Sequence, residues 1–196
     1  QFADRSVTLE SRSHDSYADI PGQMYQFFIL AFGAAPGVEY FQQCADAYRA
    51  GADIQRITTV FTSKSQFTDT YPASLSNRQL ATKLIANVVG SSASQVARDE
   101  AINDITSAMD NGLALGKMIY TVFTNLAGLK GDPKWGGTAQ LFFNQIEVAK
   151  YYTETLNQST TDLATLRAAI AGVSSSSDVS TEAAIVTLIG QGLFGG

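Results

Sequence analysis

The sequence predicts an all-α fold, and three observations support this prediction. Apolar residues recur at intervals of three and four along most of the chain, which is the spacing of one face of an α-helix. Glycines fall at the ends of these segments, where they commonly terminate helices. No stretch sustains the alternation of apolar and polar residues that is typical of a half-buried strand. With 196 residues, of which 45% are hydrophobic, the chain is large enough for a compact multi-helix domain.

The first 20 residues are predicted to form an extended N-terminal arm. They are rich in charges and hydroxyls and lack helical periodicity, yet they include Phe2, Val7, Leu9 and Tyr17. A disordered tail normally carries fewer apolar residues. We therefore expect these four residues to link one copy of the protein to the surface of a neighbouring copy. The alternative is an arm that folds back on its own domain.

Three helices are predicted in the segment that follows the arm. The first runs from Met24 to the glycine at Gly33, and its apolar residues repeat with helical spacing. The second has Pro36 in its first turn, where proline is well tolerated, and ends at Gly51. The third covers residues 54–61, where β-branched residues compete in favour of a strand.

Two capping boxes predict where the next two helices begin. In this motif a serine accepts a hydrogen bond from the third residue of the helix, whose Glu or Gln side chain bonds back. Ser76 with Gln79 fits the first helix. Ser92 with Gln95 fits the second, which is expected to end at Gly112.

The rest of the chain predicts four more helical segments. One runs from Leu115 to Gly128, and the next begins at Trp135. A third runs from Leu163 to Gly172. After a run of serines that resembles a flexible linker, a last short helix is expected around residues 185–189.

An internal repeat suggests that the helices form two related units of about 60 residues. The segment GADIQRITTVFT at 51–62 resembles GLALGKMIYTVFT at 112–124, and the glycine-ended helix 24–33 resembles 80–90. Helical repeats of this kind bury their apolar faces against each other, which favours one continuous body.

The predicted organisation therefore has three regions. Residues 1–20 are the arm, residues 21–173 are the two-unit helical domain, and residues 174–196 are a Ser-rich linker with a short C-terminal helix.

The composition of the chain argues against nucleic-acid binding and against a transmembrane segment. There are 13 basic and 18 acidic residues, a net charge of −5, and nucleic-acid binding needs clustered Lys and Arg. No apolar run approaches the roughly 18 residues of a membrane span, so no transmembrane segment is expected.

The residues of common catalytic sites are also scarce. His14 is the single histidine and lies in the polar arm, and no G-x-S-x-G motif occurs. The single cysteine, Cys44, lies in a predicted helix and is expected to be a small buried residue rather than a reactive thiol. We therefore predict that the protein is not an enzyme, and a secreted hydrolase is the least favoured hypothesis.

The repeat, together with VFTSKSQFTDTYP at 60–72 and LFFNQIEVAKYYTETL at 141–156, resembles a known class of domain. It is similar to the repeated helical domain of Gram-negative surface-layer proteins, RTX-type secreted proteins and related extracellular array proteins. The resemblance covers residues 24–190. It implies secretion, attachment to the cell surface and assembly, and it implies no chemistry. The acidic residue that usually precedes the family's loop aromatic is missing from APGVEYF in the first unit, where the second unit has GDPKWGG.

The expected function is accordingly that of a non-enzymatic, secreted structural protein of a Gram-negative cell surface. It would self-assemble into an extracellular layer, tube or filament, with outer-membrane polysaccharide as a further partner. The alternative is a carbohydrate- or lipopolysaccharide-binding module that anchors a larger secreted protein.

Two loops and three aromatic residues are candidate sites. Asp110 and Asp132 lie in loops whose carbonyls could complete a calcium site, although neither loop has the spacing of an EF-hand. Trp135 precedes two glycines, so its ring could be accessible or could cover the core. Tyr151 and Tyr152 are adjacent on a predicted helix and must point in different directions, so at least one is expected to face outward as a ligand or interface residue.

Overall fold

A computed structural model describes residues 17–195, and this part of the chain is all-helical, as predicted. The predicted arm residues Phe2, Val7 and Leu9, and also His14, lie outside the described residues. The described α-helices are α1 (Gln23–Phe32), α2 (Gly37–Arg49), α3 (Ile54–Phe61), α4 (Ser65–Thr68), α5 (Asn77–Val88), α6 (Gln95–Asp110), α7 (Leu115–Ala127), α8 (Gly136–Lys150), α9 (Leu163–Ala171) and α10 (Glu182–Phe194). A 3₁₀ turn covers Gly90–Ser92, and a π-helical turn at Tyr151–Thr155 extends α8.

Helix α1 forms the centre of the molecule. Eight of its ten residues are buried, as expected for a helix that is apolar on all sides. It packs against α7 and α8, and Phe27 places its ring 5.9 Å from that of Phe61 and 6.5 Å from that of Phe123. The core is therefore a cluster of aromatic rings around one central helix.

The two predicted units share backbone features but not surroundings. The glycines that end the matched helices have matching left-handed φ angles, 64° at Gly33 and 53° at Gly90, and 105° at Gly51 and 103° at Gly112. Helix α5, the counterpart of α1, buries only one face and pairs with α6. The repeat therefore describes local structure, while α1 and its counterpart α5 occupy central and peripheral positions.

One of the two predicted helix starts is confirmed and the other is wrong. Ser76 and Gln79 form the complete capping box at the start of α5. Helix α6 is instead capped by Ser94, whose side chain accepts the Ala97 N–H. Ser92 lies in the 3₁₀ turn two residues before that cap, and its hydroxyl donates to the Val89 carbonyl.

The C-terminal region is joined closely to the domain. The Ser-rich segment predicted as a linker is held by Asn144, a buried residue of α8 whose amide donates to the carbonyl of Ser174 at 2.9 Å. Helix α10 packs on α9, and its buried residues Ile185, Leu188 and Ile189 belong to the main core.

The end of the predicted arm is folded back on its own domain, which corrects the prediction for one residue. Tyr17 is buried, and its ring packs edge-on against Phe41 with 4.8 Å between ring centroids. Two residues later, Asp19 forms an ion pair with Arg49 at 2.8 Å. Tyr17 is therefore a core residue and not a link to another copy.

Within residues 17–195, none of the helices has the length and apolar character that crossing a membrane requires.

Candidate functional site

A groove beside Trp135 is the first candidate site. It lies between α5, α6 and α7 and the start of α8, and it encloses about 270 Å³. We call it the Trp135 groove. Its lining is largely aliphatic, formed by Leu84, Ile85, Val88, Ile105, Val122 and Leu126. An apolar side chain of another molecule is the kind of group that such a lining accommodates.

Charged groups form the rim of the Trp135 groove. The ammonium of Lys134 lies 2.5 Å from the carboxylate of Glu100, and this hydrogen bond raises the pKa of Lys134 above its ordinary value. Asp104 lies on the same rim. Because these groups remain near water, they set the boundary of the groove rather than adding much binding energy.

The half-buried ring of Trp135 is positioned by the loop that precedes α8. Asp132 accepts hydrogen bonds from the backbone N–H groups of Lys134 at 2.8 Å and Trp135 at 2.7 Å. This carboxylate therefore holds the turn that leads into α8, while the N-cap residue of the helix, Trp135, makes no side-chain capping bond. Trp135 lines the groove, and it is not among the residues packed against the main hydrophobic core.

The two aspartates predicted to bind calcium serve other contacts. Asp132 holds the loop described above, and Asp110 accepts a hydrogen bond from the Asn77 amide at 2.8 Å. Among residues 17–195, no group of three or more His, Cys, Asp or Glu side chains is arranged to hold a metal ion. Calcium binding stays a prediction from the sequence.

The tyrosine pair is less accessible than the sequence suggested. Tyr152 is only 3% exposed, and Tyr151 is half-buried against the core. Both lie in the π-helical turn, where Glu154 accepts a hydrogen bond from the buried hydroxyl of Tyr25 at 2.8 Å. The burial of Tyr152 removes it from the aromatics that a ligand could reach.

The prediction for Cys44 is confirmed. The side chain is 1% exposed, and burial raises the pKa of its thiol to about 12. It is therefore protonated at neutral pH and packed as a core residue.

A second candidate surface lies on α10. Ala183, Val186, Gly190 and Phe194 are spaced three or four residues apart and share one face of this helix. We call this face the C-terminal stripe. Phe194 is 87% exposed and Val186 is 48% exposed, and no charged residue occurs between Ala183 and Phe194. Single exposed apolar residues are common, but an uncharged helical face with an exposed phenylalanine suits protein contact.

Apart from Trp135, neither the residues that line the groove nor those of the C-terminal stripe were predicted from the sequence. A signal for the stripe was nevertheless present. Helix α10 is apolar on all sides, and the core-facing residues Ile185, Leu188 and Ile189 leave Val186 and Phe194 on the other side.

Comparisons with protein-family models, with curated proteins and with solved structures find no match to this chain.

Proposed function

We propose that this protein is a non-enzymatic structural protein that self-associates, with the C-terminal stripe of one copy seated in the Trp135 groove of the next. The observation that carries the proposal is the exposed ring of Phe194 on an uncharged helical face. The groove supplies an aliphatic lining of a size that suits an apolar side chain.

The two surfaces lie on different parts of the molecule. The described residues that line the groove all fall between 84 and 138, whereas the stripe lies on α10, which packs on α8 and α9. One copy can therefore offer its stripe and accept another at the same time. Contacts between two different patches grow head-to-tail, and they form a filament or sheet unless rotation closes a ring.

The expected strength of one contact is low. Burial of a phenylalanine side chain contributes about 1.5–3 kcal/mol. Association costs about 4–15 kcal/mol in lost translational and rotational freedom. The stripe must therefore bury Val186 and its neighbours as well as Phe194, and assembly is expected to depend steeply on protein concentration.

The composition of the chain suits self-association. Only 16% of the residues are charged, and 36 are Ser or Thr, so repulsion between copies is weak while the surface stays hydrated. Combined with the resemblance described above, this favours an extracellular layer, tube or filament on a Gram-negative cell, with outer-membrane polysaccharide as a further partner.

Sedimentation velocity of the full chain over a range of concentrations tests the proposal. Phe194→Ser removes the ring from the stripe, and Ala101→Arg extends a long side chain across the groove from α6. Each variant is expected to stay monomeric under conditions in which the wild type forms larger species. Val96→Ser is the matched control, because Val96 is 67% exposed but belongs to neither surface.

An equimolar mixture of Phe194→Ser and Ala101→Arg gives the sharper result. Each variant keeps one functional surface, so the mixture should form heterodimers and nothing larger. Assembly by Phe194→Ser alone, or failure of the mixture to pair, would contradict the proposal. Normal assembly by Ala101→Arg would indicate a contact between two α10 helices instead.

A further inference from the structure

A second cavity adjoins the Trp135 groove, with which it shares the lining residue Val88. It encloses about 250 Å³ between the end of α1, residues 70–71, and the helices α5, α8 and α9. Arg167 of α9 projects into it, and we call it the Arg167 pocket. Most of its apolar wall comes from α1 and Phe142.

The guanidinium of Arg167 is held in place by two neutral acceptors. Its Nε donates to the Phe32 carbonyl at 3.0 Å, and its Nη2 donates to the Thr70 hydroxyl at 3.2 Å. A guanidinium has five N–H donors, so three remain for another acceptor. The ion pairs formed by residues 17–195 do not include Arg167, and no described residue that lines the pocket is Asp or Glu.

A structural role accounts for part of this arrangement. The bond to Phe32 satisfies a carbonyl at the end of α1, where helices leave such groups without a partner. That bond uses a single N–H group and does not need a full positive charge. A half-buried charge without an acidic partner is unfavourable unless something else compensates it. The unpaired charge therefore points to an anionic ligand.

Hydrogen-bonding groups surround the guanidinium. The Tyr71 hydroxyl accepts a hydrogen bond from the Asn87 amide at 2.9 Å, which leaves its own O–H free to donate. Burial raises the pKa of Tyr71, so this hydroxyl keeps its proton at neutral pH. The amides of Asn87 and Gln145 also line the pocket and can bind hydroxyl groups.

We infer that the Arg167 pocket binds a small carboxylate that carries several hydroxyl groups, such as one uronic acid unit. The carboxylate accepts hydrogen bonds from the free guanidinium N–H groups, which match its geometry. The hydroxyls bond to Asn87, Gln145 and Tyr71, and the apolar side of the ligand faces Phe142. A cavity of about 250 Å³ is smaller than the roughly 300–1,000 Å³ of typical ligand sites, which limits the occupant to a single small unit.

Isothermal titration calorimetry of the full chain with glucuronate tests this inference, with glucose and inorganic phosphate as comparison probes. Glucuronate is expected to bind at least tenfold more tightly than glucose or phosphate. Arg167→Gln should weaken glucuronate binding at least tenfold. Arg56→Gln is the matched control, because it removes the same charge from an exposed position on α3 and should change nothing.

Asn87→Ala and Gln145→Ala keep the bond from Arg167 to Phe32, so they report on binding even if Arg167→Gln does not fold. Each should weaken glucuronate binding severalfold. The inference is overturned if wild-type protein shows no binding heat at millimolar glucuronate, or if phosphate binds as tightly. It is also overturned if Arg167→Gln, or both amide variants together, bind glucuronate as the wild type does.

Discussion

Substitution by alanine is expected to change the stability of the protein in opposite directions at two glycines of α10, Gly190 and Gly192. An ideal Cβ built at Gly192 overlaps the carbonyl oxygen of Ala168 in α9, whereas one built at Gly190 meets nothing within 4 Å. Because the atom near Gly192 belongs to the backbone, Gly192→Ala must push the two helices apart. Overpacking of this kind costs about 1–3 kcal/mol. Gly190→Ala should instead stabilise the helix by about 0.5–1 kcal/mol, since alanine loses less backbone entropy on folding.

Thermal unfolding followed by circular dichroism measures both effects. For a chain of this size, 1 kcal/mol shifts the melting temperature by about 2–4 °C. Gly192→Ala is therefore expected to lower the melting temperature by about 2–12 °C, and Gly190→Ala to raise it by about 1–4 °C. If both variants melt like the wild type, α10 is not packed on α9 as described, and the C-terminal region is an independent tail.

Three further predictions concern other positions. Ser94→Ala should lower the free energy of unfolding by about 1 kcal/mol in urea titrations, because the Ala97 N–H loses its acceptor at the start of α6. Cys44 has a pKa raised by burial from 9.0 to about 12, so only the unfolded chain loses the thiol proton between these values. Stability should therefore fall as pH rises through that range, and a Cys44→Ala variant should show a shallower fall. Asp132→Ala should cost about 1 kcal/mol by leaving the Lys134 and Trp135 N–H groups without their acceptor in the turn before α8, and a chelator should leave the wild-type melting temperature unchanged if these two bonds are the whole role of Asp132.

The ends of helices were predictable where they depend only on residues that are close together in the sequence. Gly33 and Gly112 adopt the left-handed φ angles that glycine tolerates best, and each ends a helix near the predicted position. The capping box at Ser76 involves only residues three apart. Neither feature depends on the rest of the fold.

The start of α6 was not predictable in the same way. Ser92 and Ser94 both precede the helix, and Ser92 fits the capping-box pattern with Gln95 better. The hydroxyl of Ser92 also lies 2.7 Å from that of Thr138 in α8, a contact across 46 positions. Only the tertiary structure reveals that partner.

The burial of Tyr17 and Tyr152 also depends on distant contacts. Tyr17 fills space beside Phe41 of α2. At Tyr152, the π-helical turn changes the direction of side chains relative to a regular α-helix, and no local motif marks that turn.

The two cavities assemble residues from separate segments. The Arg167 pocket combines residues near positions 30, 70, 87, 142 and 167, and the sequence does not show that these segments meet. One signal was available. In LATLRAAIA the arginine stands alone among mostly apolar residues, which is unusual for a helix that packs on a core.

Photo-crosslinking from position 194 tests whether the C-terminal stripe of one copy sits in the Trp135 groove of another. A benzophenone amino acid in place of Phe194 keeps an aromatic group at the end of the C-terminal stripe, and mass spectrometry of the crosslinked dimer identifies the residue it reaches. Crosslinks are expected to the Trp135 groove of a second copy, at residues between 84 and 138 such as Val122 or Ile105. Crosslinks confined to residues 183–194 of the second copy, or none at concentrations where the protein assembles, would contradict this prediction.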